Sequence, residues 1–362
     1  MEKNMKNKRK LILIASFASI CILTGCLPKM IIDDVQLIQG VIVDRIKDQI
    51  KTTVICSLKR KGHQVQTFEG SSHTVKMGRI NSSLESENDF ETGQLRIALA
   101  TKKFVKQDIT ELYEYLLRDS RIGHTVYLGI IDGKVKGFFS QKSYGRDNAV
   151  ISLKKMLEHN METGIVPTDN LHANIYRYYE EGQDTFIPIV KNSDGKIKIT
   201  GLALFNKEKY RGELNLQEMY IFKGLIEKHK LDSHQFKIRN GYVLVNTIRS
   251  SPSYCIRMKN GRPFFYIKVK FDARLQEVST NINLNQKQNV KKIEKSIEKE
   301  LQVESENMIK KLQNINVDPL GFGVKLKHKY RGFSLKKWRS IYQNVPIDVE
   351  YRVNITNSGI VE

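Results

Sequence analysis

The sequence predicts a multi-domain mixed α/β protein of the α+β class, whose C-terminal domain is an antiparallel-rich sheet covered by helices, including one long helix. Three features of the 362 residues carry this. Between Phe265 and Leu275, the apolar residues Ile267, Val269, Phe271, Ala273 and Leu275 alternate with Lys268, Lys270, Asp272 and Arg274. That is the period of a strand with one buried and one wet face. Just before it, Asn260-Gly261 suits the positive φ of a two-residue hairpin turn. From Val290 to about Leu312, Ile293, Ile297, Leu301, Met308 and Leu312 form a single helical stripe among many Lys and Glu.

The elements follow in order. Val35 to Val43 and Thr52 to Leu58 read as strands, and the polar stretch Lys59 to Asn88 as a loop with one short helix at most. Leu95 to Ala100 is apolar again. Asp108-Ile109-Thr110-Glu111 has the form of a capping box, which starts a helix from about Ile109 to Arg118 with Ile109, Leu112, Tyr113, Leu116 and Leu117 behind it. Val126 to Ile131 and Lys134 to Phe139 flank Asp132-Gly133 and are expected to form a hairpin. Asn148 to His159 predicts an amphipathic helix, and Pro167 to Asp184 is polar and aromatic without a clear period. The turn-forming run Asn192-Ser193-Asp194-Gly195 places the main boundary near Lys191 to Gly195. This divides the chain into a leader, 1–25, an N-terminal region, 26–195, of two α/β subdomains, and a C-terminal α+β domain, 196–362.

In the C-terminal domain Lys196 to Phe205 is a strand, and Asn215-Leu216-Gln217-Glu218 repeats the capping pattern. Met219, Phe222, Leu225 and Ile226 line the helix that follows it. Val243 to Ile248 reads as a strand, Leu335 to Tyr342 as a short helix and Val349 to Ile355 as the last strand. The long helix also carries Lys291, Lys292, Glu294, Lys295, Glu298, Lys299 and Glu300, which either solvate it or form a polar docking face.

The leader has its own chemistry. Lys3, Lys6, Lys8, Arg9 and Lys10 precede an uncharged stretch from Leu11 to Ile22, too short to span a bilayer and shaped like a secretory signal. It ends in Leu23-Thr24-Gly25-Cys26, which resembles a bacterial lipobox. Cleavage is expected between Gly25 and Cys26, leaving Cys26 as an N-palmitoyl, S-diacylglycerol cysteine. More than one acyl chain suffices for stable anchoring without a transmembrane helix. Removal of 1–25 lowers the formal charge from +21 to +17. A basic exported chain suits anionic headgroups or wall polymers, and simple solubility equally well. Lys and Arg are spread evenly, with no RNP, zinc-finger or helix-turn-helix pattern, so no nucleic-acid partner is expected.

Catalytic and metal chemistry find little support. Gly70-Ser71-Ser72-His73 lacks the form of a nucleophile elbow. His63 and His73 have no Cys or acidic partners at ligand spacing. His229 and His234 near a helix end fit a favourable C-terminal charge or plain exposure. The pairs Asp33-Asp34 and Glu180-Glu181 point apart on either regular element. Gly321-Phe322-Gly323 is too short for a phosphate loop and fits backbone turning. Trp338 fits the core better than a lipid interface, and Tyr176, Tyr178 and Tyr179 fit an ordinary half-buried segment better than a binding patch. Cys56 and Cys255 lie in strand-like runs and suit buried free thiols better than a bridge. No catalytic residue, metal ligand or cofactor is expected, and no ligand-binding residue is assigned.

Several stretches together resemble one family. These are Asp318-Pro319-Leu320-Gly321-Phe322-Gly323, Lys329-Tyr330, Lys337-Trp338, Val349 and Asn357-Ser358-Gly359 near the end, with Gly40-Val41-Ile42-Val43-Asp44, Leu117-Arg118-Asp119 and Gly201-Leu202-Ala203-Leu204-Phe205 before Leu214. With the lipobox they are similar, in order and over the whole mature length, to the Ger(x)C family, the lipoprotein C subunits of GerA-type spore germinant receptors. The family often carries Trp-Asp just after the lipid cysteine, where this chain has Leu27-Pro28. The resemblance implies three mixed α/β domains, lipid-anchored on the outer surface of the spore inner membrane. It implies polytopic A and B receptor subunits as partners, and a non-enzymatic part in nutrient-triggered germination. An exported lipoprotein that binds a small solute or wall polymer by itself is the alternative, and an exported hydrolase comes third.

Overall fold

The computed structural model describes residues 7, 35–57, 65–139, 148–230, 232–239, 241–280 and 282–358. It is a mixed α/β architecture built on two sheets, with the long helix where the apolar stripe requires it. From Val35 the described residues form β1 (Val35–Ile46), β2 (Gln49–Ser57) and β3 (Val65–Ser72), followed by α1 (Val75–Ser83), β4 (Asp89–Glu91) and β5 (Ile97–Thr101). Then come α2 (Lys102–Val105), α3 (Thr110–Arg118), β6 (Tyr127–Ile131), α4 (Ala149–Thr163) and α5 (Leu171–Tyr179). β7 (Phe186–Ser193), β8 (Lys196–Asn206) and β9 (Lys209–Leu214) lead to α6 (Leu216–Ile226). The second sheet is β10 (Ser233–Ile238), β11 (Gly241–Lys259), β12 (Arg262–Val278) and, after α7 (Lys287–Asn314), α8 (Phe322–Lys329) and α9 (Leu335–Ile341), the last strand β13 (Ile347–Ser358).

The first sheet runs β3-β2-β1-β5-β6-β7-β8-β9, with β4 also beside β1. Its centre is parallel and its ends are antiparallel hairpins. Successive residues of β1 serve opposite faces. Val41 and Val43 join a core with Phe104, Leu112 and Leu171 from α2, α3 and α5, and Ile42 joins another with Val150 and Leu153 of α4. Near-continuous burial along β1 and β5 follows from helices on both sides.

The second sheet, β10-β11-β12-β13, buries one face only. In β12 Phe265, Ile267, Val269, Phe271, Ala273 and Leu275 are buried while Lys268, Lys270 and Arg274 are exposed, as the alternation required. Asn260 (φ 51°) and Gly261 (φ 72°) make the turn between β11 and β12. α7 lays Ile293, Ile297, Leu301, Met308 and Leu312 into the same core. Ser305 fills the gap in that stripe and meets the Tyr351 hydroxyl at 2.8 Å. Three glutamates of α7 accept backbone N–H groups of the two edge strands: Glu294 from Ile355 (2.9 Å), Glu298 from Val353 (3.1 Å) and Glu300 from Lys237 (2.8 Å). These carboxylates cover edges that would otherwise recruit another strand. α6 lies between the sheets and is buried almost all round, from Met219 to Leu225, so one core joins the second sheet to β7–β9. Its capping box is complete, Glu218 N–H to Asn215 at 2.9 Å and Asn215 N–H to Glu218 at 2.8 Å.

Four local expectations differ from the structure. The polar run after residue 59 contains β3, whose only buried side chain is Phe68 because it is an edge strand leaning on α1. Lys134 to Phe139 is not a strand: β6 lies between parallel β5 and β7, and the Asp132 N–H donates to Val190 O. Asp108 accepts the Thr110 N–H at 2.6 Å, but α3 starts one residue later than expected and its N-cap position, Ile109, has no side-chain cap. The aperiodic stretch after Pro167 contains α5, capped by Asn170. The turn at Asn192–Gly195 closes the β7–β8 hairpin, so β8 and β9 pair within the first sheet although they follow the boundary expected there.

Candidate functional site

The motif Asp318-Pro319-Leu320-Gly321-Phe322-Gly323 builds a buried junction between the two halves. Gly321 (φ 68°) turns the chain into α8, as expected of it. The Asp318 carboxylate then accepts the N–H groups of Phe322 (3.0 Å) and Gly323 (2.9 Å) and the indole N–H of Trp338 (3.1 Å). Trp338 is fully buried, in ring contact with Phe265 and Tyr342. From the first half, Asp184 accepts two parallel bonds from Arg339, each 2.6 Å, and the Val324 N–H donates to Gly182 O. Burial, helped by the Asp184 charge, raises the Asp318 carboxyl to about 6 against the pull of its backbone donors. A Cβ on Gly323 would stand 2.5 Å from Trp338 and 2.8 Å from the Gly182 Cα, so glycine is required by close approach.

Lys223 is a second link. It is 1% exposed, and its ammonium donates to Met161 O (2.7 Å) and Gly164 O (2.6 Å) at the C-terminal end of α4, where a cation suits the helix dipole. A third cluster joins Asp169, Asn174 and Arg177 beneath Tyr113, with the guanidinium 4.1 Å from the Phe186 ring centroid.

A cleft of about 220 Å³ opens between α1 and α3. Glu111, Glu114, Tyr115 and Arg118 share one side of α3, and the first turn of α1 with Arg79 forms the facing wall. Arg79 Nη1, Tyr115 Oη and Glu111 Oε2 are buried there without hydrogen-bond partners.

Gly25, Cys26, Asp33, Asp34 and His63 lie outside the described residues. His73 is exposed beside α1, and Gly70 packs against α1 instead of presenting a nucleophile. Of the two readings for His229 and His234, a favourable C-terminal charge or plain exposure, plain exposure does not hold. His229 is buried 3.0 Å from Asp232, and His234 stacks on Tyr220 at 4.0 Å, because the segment after α6 turns inward to start β10. Cys56 and Cys255 are free; Cys56 is buried, whereas Cys255 is exposed on the open face of the second sheet. Tyr176 and Tyr179 project from α5 into solvent, while Tyr178 packs on Tyr113. Glu180 meets Lys327 at 3.4 Å, and Glu181 is exposed. Among the described residues no group of three or more His, Cys, Asp or Glu is placed to hold a metal, and no helix is long and apolar enough to cross a membrane. The missed residues are Asp184, Lys223, Arg339 and the α1–α3 cleft, whose partners lie far away in sequence and left no local pattern.

Fold and polar clusters define a two-sheet scaffold whose buried charges bind its own elements together. The comparisons give that scaffold a family. Residues 28–192 match the spore germination protein N-terminal domain, and residues 200–359 match the family described as spore germination B3/GerAC like, C-terminal. The chain belongs to the GerAC/GerxC family of spore-germination proteins, whose members are scaffold or receptor components and not catalytic enzymes. It is 26% identical over 347 residues to the spore germination protein GerQC of Bacillus cereus, covering 94% of this chain and 96% of that one. It is 31% identical over 108 residues to the spore germination protein KC of Bacillus subtilis (strain 168), covering 29% of this chain and 26% of that one. In fold it is similar to the crystal structure of the GerBC protein, with a TM-score of 0.59 and 18% identity over 88% of this chain and 97% of that one. The two family matches divide at residues 192–200, beside the expected boundary, while the first sheet runs through it.

Proposed function

We propose that the chain is the lipid-anchored, non-catalytic C subunit of a spore germinant receptor, required for nutrient-triggered germination. The observation that carries this reading is the reach of the family match, 28–192 and then 200–359. It begins two residues after Cys26 and leaves outside it the basic, apolar leader and the lipobox-like Leu23-Thr24-Gly25-Cys26. Lipid on Cys26, with cleavage after Gly25, holds the chain on the outer surface of the spore inner membrane. Eight residues separate Cys26 from β1, and a chain of that length reaches at most about 28 Å. The nine-stranded sheet stays near the bilayer, within reach of polytopic A and B subunits. The 26–195 and 196–362 regions act together, because β8 and β9 of the second complete the sheet of the first and the Asp184–Asp318 junction holds the rest. An independent solute-binding lipoprotein would favour two similar doubly wound lobes, and sheets of nine and four strands do not support it.

Two measurements test this. Cys26→Ala is expected to release the chain from the membrane fraction of cells that lack the A and B subunits, and full retention there would refute the anchor. Deletion of the chain is expected to abolish the response to at least one nutrient, and unchanged germination with every nutrient would refute the receptor reading.

A further inference from the structure

Lys and Arg are spread along the chain, but Asp and Glu are not. No acid occurs from Ser233 to Phe271 or from Pro319 to Ile347, while both segments are rich in Lys and Arg. The fold brings the two segments together. The Lys329 ammonium donates to Ile256 O at 2.7 Å, and the Phe322 and Phe265 rings meet at 4.9 Å between centroids. Arg262, Pro263, Ser340 and Ile341 line one cleft of about 280 Å³ where the β11–β12 hairpin meets α9.

This end of the second sheet carries one sign of charge. Arg257, Lys259 and Arg262 belong to the hairpin, and Lys336 and Lys337 stand one turn before Ser340 on α9. All five are exposed, and none is ion-paired among the described residues. The cations of these segments that do meet acids are Arg249, Lys327 and Arg339, on Asp272, Glu180 and Asp184. The first acid beyond the cleft is Asp348, opposite Tyr266 in the sheet register.

Apolar surface lies among these cations. Met258 is 37% exposed, stands between Arg257 and Lys259 and is opposite Pro263 in the hairpin register. Pro263, Ile341, Val345 and Pro346 supply the apolar part of the cleft. A soluble polyanion would use the charge alone. Cations set around apolar groups suit the boundary of a bilayer, where headgroup phosphates lie outside and acyl chains inside.

We propose that the end of the β11–β12 hairpin and α9 form a second membrane contact, which binds the anionic headgroups of a bilayer with Met258 entering the headgroup layer. The proposal rests on the reading that the chain works at a membrane, and it adds to the lipid anchor a contact from the other half of the molecule. The anchor holds the chain near the bilayer, and this surface sets which way the second sheet faces. Each cation beside an anionic surface contributes about fivefold to affinity. The attraction weakens with salt, because exposed charges are screened beyond about 10 Å at 0.1 M.

Vesicle co-sedimentation of the chain 27–362, which has neither leader nor lipid cysteine, tests this surface apart from the anchor. The chain is expected to bind vesicles of phosphatidylglycerol in phosphatidylcholine, to ignore pure phosphatidylcholine vesicles and to be released by salt. Lys259→Glu with Arg262→Glu, and Lys336→Glu with Lys337→Glu, should each weaken binding by roughly tenfold or more. Their melting temperatures should stay at the wild-type value, since all four side chains are exposed. Lys291→Glu with Lys292→Glu makes the same change of charge on α7 and should bind as the wild type does. Met258→Ser should weaken vesicle binding and leave any binding of polyphosphate unchanged. Absence of binding to the anionic vesicles, or an equal loss in the α7 variant, would overturn the proposal. Undiminished vesicle binding by Met258→Ser together with equally tight binding of polyphosphate would assign the surface to a soluble polyanion and overturn it too. Because the probe lacks Cys26, failure here leaves the anchor standing, and retention of Cys26→Ala in membranes leaves this test unaffected.

Discussion

Asp184 and Asp318 hydrogen-bond to each other in both directions. The Asp184 N–H donates to the Asp318 carbonyl at 2.9 Å, and the Asp318 N–H donates to the Asp184 carboxylate at 2.6 Å. Two carboxylates so close and so buried stay folded only with compensating donors, and among the described residues Arg339 is the one full positive charge bonded directly to Asp184. Arg339→Ala is therefore expected to cost about 3–5 kcal/mol, the range for breaking a buried pair from one side. Urea denaturation would register this as a lower midpoint, and a loss under 1 kcal/mol would mean that the junction is not held by charge.

Gly323 lies between Trp338 and Gly182. A methyl group there meets the indole at 2.5 Å and backbone at 2.8 Å, neither of which can move without disturbing Asp318. Gly323→Ala should destabilise by about 1–3 kcal/mol through overpacking and blue-shift Trp338 fluorescence little, since the indole is already dry. Thermal unfolding at the wild-type midpoint would contradict the close packing described.

His234 and Asp318 make the stability respond to pH in opposite senses. Burial lowers the His234 imidazole from 6.5 to about 4, with Asp232 only partly opposing. Between those values the unfolded chain binds more protons, so this contribution is present above pH 6.5 and lost as pH falls to 4. Asp318, raised from 3.8 to about 6, binds more protons when folded, and its contribution grows as pH falls through the same range. His234→Phe should remove the first effect only. The difference in stability between wild type and variant should then slope by up to ~1.4 kcal/mol per pH unit between 6.5 and 4. Parallel pH profiles for the two proteins would show that His234 is not titrating as its burial demands.

The α7 glutamates protect the edge of β13. Replacing Glu294 and Glu298 together by Ala removes the acceptors for Ile355 and Val353 while leaving the buried stripe intact. The doubly substituted chain should remain folded, lose about 1–2 kcal/mol and self-associate with rising concentration as its edge becomes available. Sedimentation velocity distinguishes this from a purely solvating role, in which the variant would sediment as the wild type does.

Residues that interact within a few positions of one another could be read from the chain alone. The Asn215–Glu218 capping box, the Asn260-Gly261 turn, the alternation of β12 and the stripe of α7 are all decided by dihedral preference and by period, which a short window contains. Trp338 and the turning role of Gly321 were legible for the same reason. What the window could not contain was decided by the tertiary structure. Asp318 was visible as part of a motif, but its partner Asp184 lies 134 residues away, and Arg339 reaches across 155. β3 is a strand because β2 offers it an edge, and Lys134 to Phe139 is not one because parallel neighbours already occupy both sides of β6. Lys223 looks like an ordinary surface lysine until α4 ends beside it. The α1–α3 cleft left no pattern at all, since Arg79 and Tyr115 come to line one cleft only when two helices of the first sheet are brought face to face.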